Sequence, residues 1–98
     1  MQTLLVLNID PAAEDDLVDY LLGLDSVDGF TSFPARGHGR HGSALSVAEQ
    51  VTGRRKRVQF ELVLDHTVVP AVLENLRADV GRDITWWQSP IDASGRID

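Results

Sequence analysis

The stretch ARGHGRHGS, residues 35–43, gathers the residue types that can hold a ligand. His38 and His41 stand three apart, and a neutral imidazole is a common ligand for zinc, copper or nickel. Two such ligands on one loop bind weakly alone; a full site needs about four donors for zinc, or two to three with water. Glu49, His66 or the same pair from a second subunit are the donors available to complete it. The same stretch holds Gly37, Gly39 and Arg40. Glycine lets backbone amides approach an anion, and a guanidinium offers a fork of donors to phosphate. A metal pair, an anion cradle and a plain glycine-rich loop are three readings of one stretch, because H-x-x-H and G-x-G are both common patterns.

Three further groups have chemistry to offer. Arg54, Arg55, Lys56 and Arg57 form a cationic run. It suits a partner or nucleotide contact, or a solvated strand entrance that deters edge pairing. Trp86 and Trp87 are adjacent, so on a strand they face opposite sides. One is expected in the core, and the other on the second face as part of a subunit interface. Ser43 lies near His41 without an orienting base or elbow motif, and Asp15 and Asp16 are accounted for by the helix dipole. No catalytic constellation emerges, and the expectation is a protein that is not an enzyme.

The elements that must position these groups follow from periodicity. Residues 3–9, TLLVLNI, read as a buried strand. Asp10-Pro11 is N-cap chemistry, and Leu17, Val18, Leu21 and Leu22 recur at helical spacing, which predicts a helix over about 11–24. GFTSF over 29–33 reads as a second strand that Pro34 weakens or ends. Residues 35–53 hold four of the eight glycines and show no period, as expected of a long loop with at most a helical turn near 45–51. In KRVQFELVLD, residues 56–65, Val58, Phe60, Leu62 and Leu64 alternate with Gln59 and Glu61, a half-buried strand. Thr67 can cap a second helix with Pro70 in its first turn and Val69, Val72, Leu73, Leu76 and Val80 on its buried stripe; Gly81 ends it. DITWWQ over 83–88 predicts a last strand, stopped by Pro90.

The order is βαββαβ, and its halves echo each other at an offset of 55 residues: Leu7, Ile9, Asp10, Val18 and Leu21 match Leu62, Leu64, Asp65, Leu73 and Leu76. The expected fold is α+β, a ferredoxin-like sandwich with a four-stranded antiparallel sheet, two helices on one face and a long loop between strands 2 and 3. Its other sheet face has no helix to cover it, and oligomerisation is one way to bury such a face. One domain over residues 1–90 and a polar tail over 91–98 are expected.

Composition narrows the classes. The chain has 98 residues, a net charge of −6 and no cysteine, so disulfides, thiolate catalysis and cysteine-ligated zinc are excluded. The negative charge argues against nucleic acid as a partner. Residues 36–57 nevertheless carry six of the nine cations and one acid, +5 against −11 for the rest. A basic segment on an acidic body suits an anionic ligand or an acidic partner surface. No run approaches the roughly 18 apolar residues of a membrane span, and MQTLLVLNID lacks the parts of a signal peptide. No membrane insertion and a cytoplasmic location are expected.

The segment VDGFTSFPARGHGR resembles the PII-like signalling proteins, in which a Gly-x-Thr strand leads to a glycine- and arginine-rich T-loop. Gly29, Phe30, Thr31, Gly37, Gly39 and Arg40 occupy matching positions, and RRKRVQFELVL closes the loop as in that family. The likeness in architecture covers residues 1–89 and is specific in sequence over 29–40. It implies a homotrimer with ligand clefts between subunits and a T-loop, here 35–55, that contacts a regulated partner. That partner is usually a transporter or an enzyme, so a membrane transporter for heavy metals, bicarbonate or ammonium is implied. Many relatives bind adenine nucleotides, which would put Gly37, Gly39, Arg40 and Arg82 near the ligand. Three departures stand out. The loop after the second helix, ADVGRDITWW, has only Gly81 and Arg82 where relatives carry a glycine- and lysine-rich phosphate cradle. His41 replaces a glutamine, and the only tyrosine, Tyr20, is in the first helix. The paired histidines also resemble the CutA proteins and the stand-alone PII-like proteins that accompany heavy-metal efflux pumps, which implies a divalent transition metal as the alternative ligand.

Overall fold

The computed structural model describes residues 1–39 and 54–98. In chain order the elements are β1 (Gln2–Ile9), a 3-10 turn (Pro11–Ala13), α1 (Glu14–Leu22), β2 (Thr31–His38), β3 (Arg54–Asp65), a second 3-10 turn (His66–Val68), α2 (Val69–Glu74), α3 (Leu76–Asp79) and β4 (Thr85–Pro90). The strands make one antiparallel sheet in the order β2-β3-β1-β4. This is the expected ferredoxin-like arrangement, with β1 and β3 at its centre.

Alternation along β1 and β3 decides which face carries the core. Leu5, Leu7 and Ile9 lie opposite Leu62, Phe60 and Val58, and all six are buried. Leu17 and Leu21 of α1 and Val69, Val72 and Leu76 of α2 and α3 pack onto that face. Each fully buried Leu, Val or Phe side chain contributes about 1.5–3 kcal/mol, so this layer supplies the main stabilisation. The Tyr20 hydroxyl donates to the Val72 carbonyl at 2.7 Å, tying α1 to α2.

The duplication is visible in the backbone. Asp10 and Asp65 each cap a 3-10 turn that leads into a helix, at (φ, ψ) of (−66°, 139°) and (−66°, 134°). Asp10 accepts from the Ala12 amide at 2.9 Å, and Asp65 from the Thr67 amide at 2.9 Å. The second cap is therefore Asp65 and not Thr67, whose hydroxyl instead donates to Asp65 at 2.7 Å. These two Thr67 bonds hold the Asp65 carboxyl at about 2, below its ordinary 3.8. A carboxylate whose pKa is lowered by folding contributes stability that is complete above the unfolded value and lost as pH falls toward the folded one. Urea midpoints should therefore decline between about pH 4 and about pH 2, and Asp65→Asn should flatten that decline. An unchanged slope in the variant would show that the cap carries no linkage.

Several boundaries differ from the sequence reading. Pro34 does not end β2, which runs on to His38. β2 is an edge strand, where a missing N–H leaves no ladder bond unmade. β3 begins at Arg54, so 35–38 and 54–55 of the expected loop are strand, and residues 40–53, with the helical turn expected at 45–51, lie outside the described residues. The second helix breaks at Asn75, with φ −109° and ψ 10°, into α2 and α3. β4 starts at Thr85 rather than at residue 83, because Gly81 (φ 144°) and Asp83 (φ 63°) turn the chain just before it, and Pro90 is its last residue. Among the described residues no helix is long and apolar enough to cross a membrane.

Candidate functional site

At one end of the sheet His38, closing β2, lies opposite Arg54, opening β3. The period of two along β3 splits the cationic run. Arg55 and Arg57 fall on the face away from the helices, with Gln59 and Glu61; Arg54 and Lys56 fall on the other. Arg54 and Lys56 are exposed, but Arg55 and Arg57 retain only 8% and 4% of their accessible surface.

Burial of two neighbouring cations requires partners, and the turn before β4 supplies them. Asp83 Oδ2 accepts from Arg55 Nη2 at 2.6 Å and from Arg57 Nη1 at 3.1 Å. Arg57 Nη2 donates to the carbonyls of Asn8 and Asp83, both at 2.8 Å, and Nε donates to Asn8 Oδ1 at 2.7 Å. One guanidinium thus joins the end of β1, the turn before β4 and the base of the β2–β3 hairpin. Burial, reinforced by the adjacent Arg55, pushes the Arg57 pKa down, while Asp83 opposes the shift. A guanidinium remains protonated under these conditions, so the cluster is a fixed positive charge around one carboxylate.

Two backbone features make the cluster fit. A Cβ on Gly37 would stand 3.3 Å from Arg57 Cγ, so the glycine leaves room beside β2 for the start of the arginine stem. Asp83 takes a left-handed φ of 63°, which aspartate tolerates better than most residues and which turns both its carboxylate and its carbonyl to Arg57.

Gly37, Gly39 and His38 thus sit together at the hairpin end, with Arg54 beside them. Arg40 and His41 lie outside the described residues, so the expected histidine pair is placed for His38 alone. Among the described residues no three His, Asp or Glu side chains converge in a way that could hold a metal ion. Arg82 lies in the Gly81–Asp83 turn, next to the arginine cluster's anchor. Asn8 and Asp83 escaped the sequence reading. Asp83 is 26 residues from Arg57 and sits in a turn, where no periodicity marks it.

The tryptophans also differ from expectation. They do face opposite sides, Trp86 opposite Leu7 and Trp87 opposite Val6. Neither enters the core: Trp86 is 48% exposed and Trp87 45%. β4 is an edge strand, so even its helix-side residues are covered from one flank only. On the open face Trp87 adjoins Val6, with Leu4, Val63 and Phe33 on the same surface; Val63 is 45% and Phe33 38% exposed. On the helix face Trp86 borders a cleft of about 300 Å³ that Arg82 and Asp83 also line.

The whole chain, residues 1–98, matches the model of a family described as "Protein of unknown function (DUF3240)". No curated protein matches it. Among solved structures it is similar to the crystal structure of a DUF3240 family protein from Shewanella baltica OS155. The two are 26% identical over 99% of this chain and 97% of that one, with a TM-score of 0.81.

Proposed function

The chain belongs to the DUF3240 family, and from the geometry of its hairpin base we propose that it is a PII-like regulatory protein rather than an enzyme. In this reading three copies associate through the open sheet face. A small effector, an anion, an adenine nucleotide or a divalent metal, binds in the clefts between them. The 40–53 segment carries the signal to a membrane transporter, with heavy-metal efflux as the setting and bicarbonate or ammonium transport as the other transporter types.

The observation that carries the reading is the clamp of Arg55 and Arg57 on Asp83. It fixes β3, the strand that follows the 40–53 segment, to the turn bearing Arg82. A ligand held at this end of the sheet would therefore meet the segment's base and the β4 turn together, which is what a segment read by a partner requires. The exposed apolar patch of Trp87, Val63 and Phe33 supports assembly, since such surface is stabilised by a second copy. The metal-tolerance alternative rests on His38 and His41, and the cation of Arg54 opposite His38 does not favour it.

Calorimetry with ATP, AMP, bicarbonate, Zn²⁺, Cu²⁺ and Ni²⁺ separates the effectors. Saturable binding of an anion that Arg40→Ala weakens is the expected result. Metal binding abolished by His38→Ala with His41→Ala would move the effector to the metal class. Absence of binding to all six, together with a single-chain mass, would overturn the reading.

A further inference from the structure

The cleft on the helix side of β4 shares Arg82 with the regulatory reading, but the rest of its composition is not used by it. Its walls are Leu73, Leu76 and Ile84, its rim is the half-exposed indole of Trp86, and its mouth carries Arg77 and Arg82. Its single carboxylate, Asp83, is occupied by Arg55 and Arg57. Arg77 and Arg82 are exposed, and neither makes a side-chain hydrogen bond or ion pair with any described residue. The cleft therefore joins an apolar floor and an open aromatic face to two uncompensated cations, inside an otherwise acidic chain.

We propose that this cleft binds a small planar aromatic anion, its ring against Trp86 and the floor, its carboxylate or phosphate on Arg77 and Arg82. Each part of that ligand answers a feature of the site. An exposed tryptophan at the edge of an apolar cleft gains from a stacked ring. Guanidinium forks match the planar oxygens of a carboxylate or phosphate. The volume of about 300 Å³ lies at the lower end of ligand pockets, which suits one or two rings and not a larger molecule. All these residues come from one chain, so the site depends neither on assembly nor on the regulatory reading.

The test uses the ¹⁵N-labelled full chain, whose two indole N–H signals are assigned with Trp87→Phe. Benzoate and phenyl phosphate are titrated, with acetate and inorganic phosphate as ringless anions and benzyl alcohol as an uncharged ring. A saturable shift of the Trp86 signal is expected with the two aromatic anions, and a weak, non-saturating one with the controls. Arg82→Gln and Arg77→Gln should each weaken binding by about tenfold, the effect of losing one charge-assisted hydrogen bond. Both residues are exposed, so the variants keep the fold, which the remaining amide signals verify. No saturable Trp86 shift, equal binding of acetate or benzyl alcohol, or unchanged affinity in both variants would each overturn the proposal.

Discussion

Arg57→Ala is expected to lower stability by about 3 kcal/mol, the cost of breaking several buried hydrogen bonds to one charged group. Arg57 makes four donor contacts to two separate segments, the end of β1 and the turn before β4. Truncation leaves Asn8 Oδ1 and the Asn8 and Asp83 carbonyls without this donor, and leaves Arg55 alone on Asp83. Arg57→Lys should recover only part of the loss, because one ammonium cannot reach the same spread of acceptors as a planar fork. Asp83→Asn should cost less than Arg57→Ala, since the Asp83 side chain is half exposed and water can replace part of what it supplies. Urea unfolding of the three variants checks this order. A loss under about 1 kcal/mol for Arg57→Ala would place the residue among ordinary surface cations.

Trp87→Glu is expected to reduce the protein to single chains. Trp87 stands on the open face beside Val6, within the apolar surface proposed to meet neighbouring copies. A carboxylate there would be buried without a partner on assembly, which costs far more than the lost indole contact. Trp86→Glu is the matched control. It carries the same change of size and charge at the next position of the same edge strand, but on the helix face. Its mass should stay that of the wild type. If both variants dissociated alike, β4 as a strand and not the open face would govern assembly; if neither did, the patch would not be the interface.

The fold was open to sequence reasoning because its signals are local. The alternation of Val58, Phe60, Leu62 and Leu64 defines β3 without help from the rest of the chain, and the Asp10 and Asp65 caps repeat at the offset seen in the apolar pattern. Pro34 misled because its effect depends on whether a strand is at an edge, which only the assembled sheet decides. Thr67 misled because two cap-forming residues lie close together, and the choice between them is made by backbone geometry. The arginine run is the instructive case. Continuing the β3 period backwards from Val58 puts Arg55 and Arg57 on one face, so their pairing was legible. Their burial was not, because it rests on Asp83, which reaches them only through an unusual φ in a distant turn. One of Trp86 and Trp87 was expected in the core on periodicity alone; what leaves both exposed is the place of β4 at the sheet edge.

Assembly through the open sheet face is the claim on which the regulatory reading depends, and sedimentation equilibrium of the wild-type chain tests it most directly. The expected result is a mass three times the 10.8 kDa of the chain, holding over a wide range of protein concentration. A mass of one chain at the highest concentration reached would contradict it.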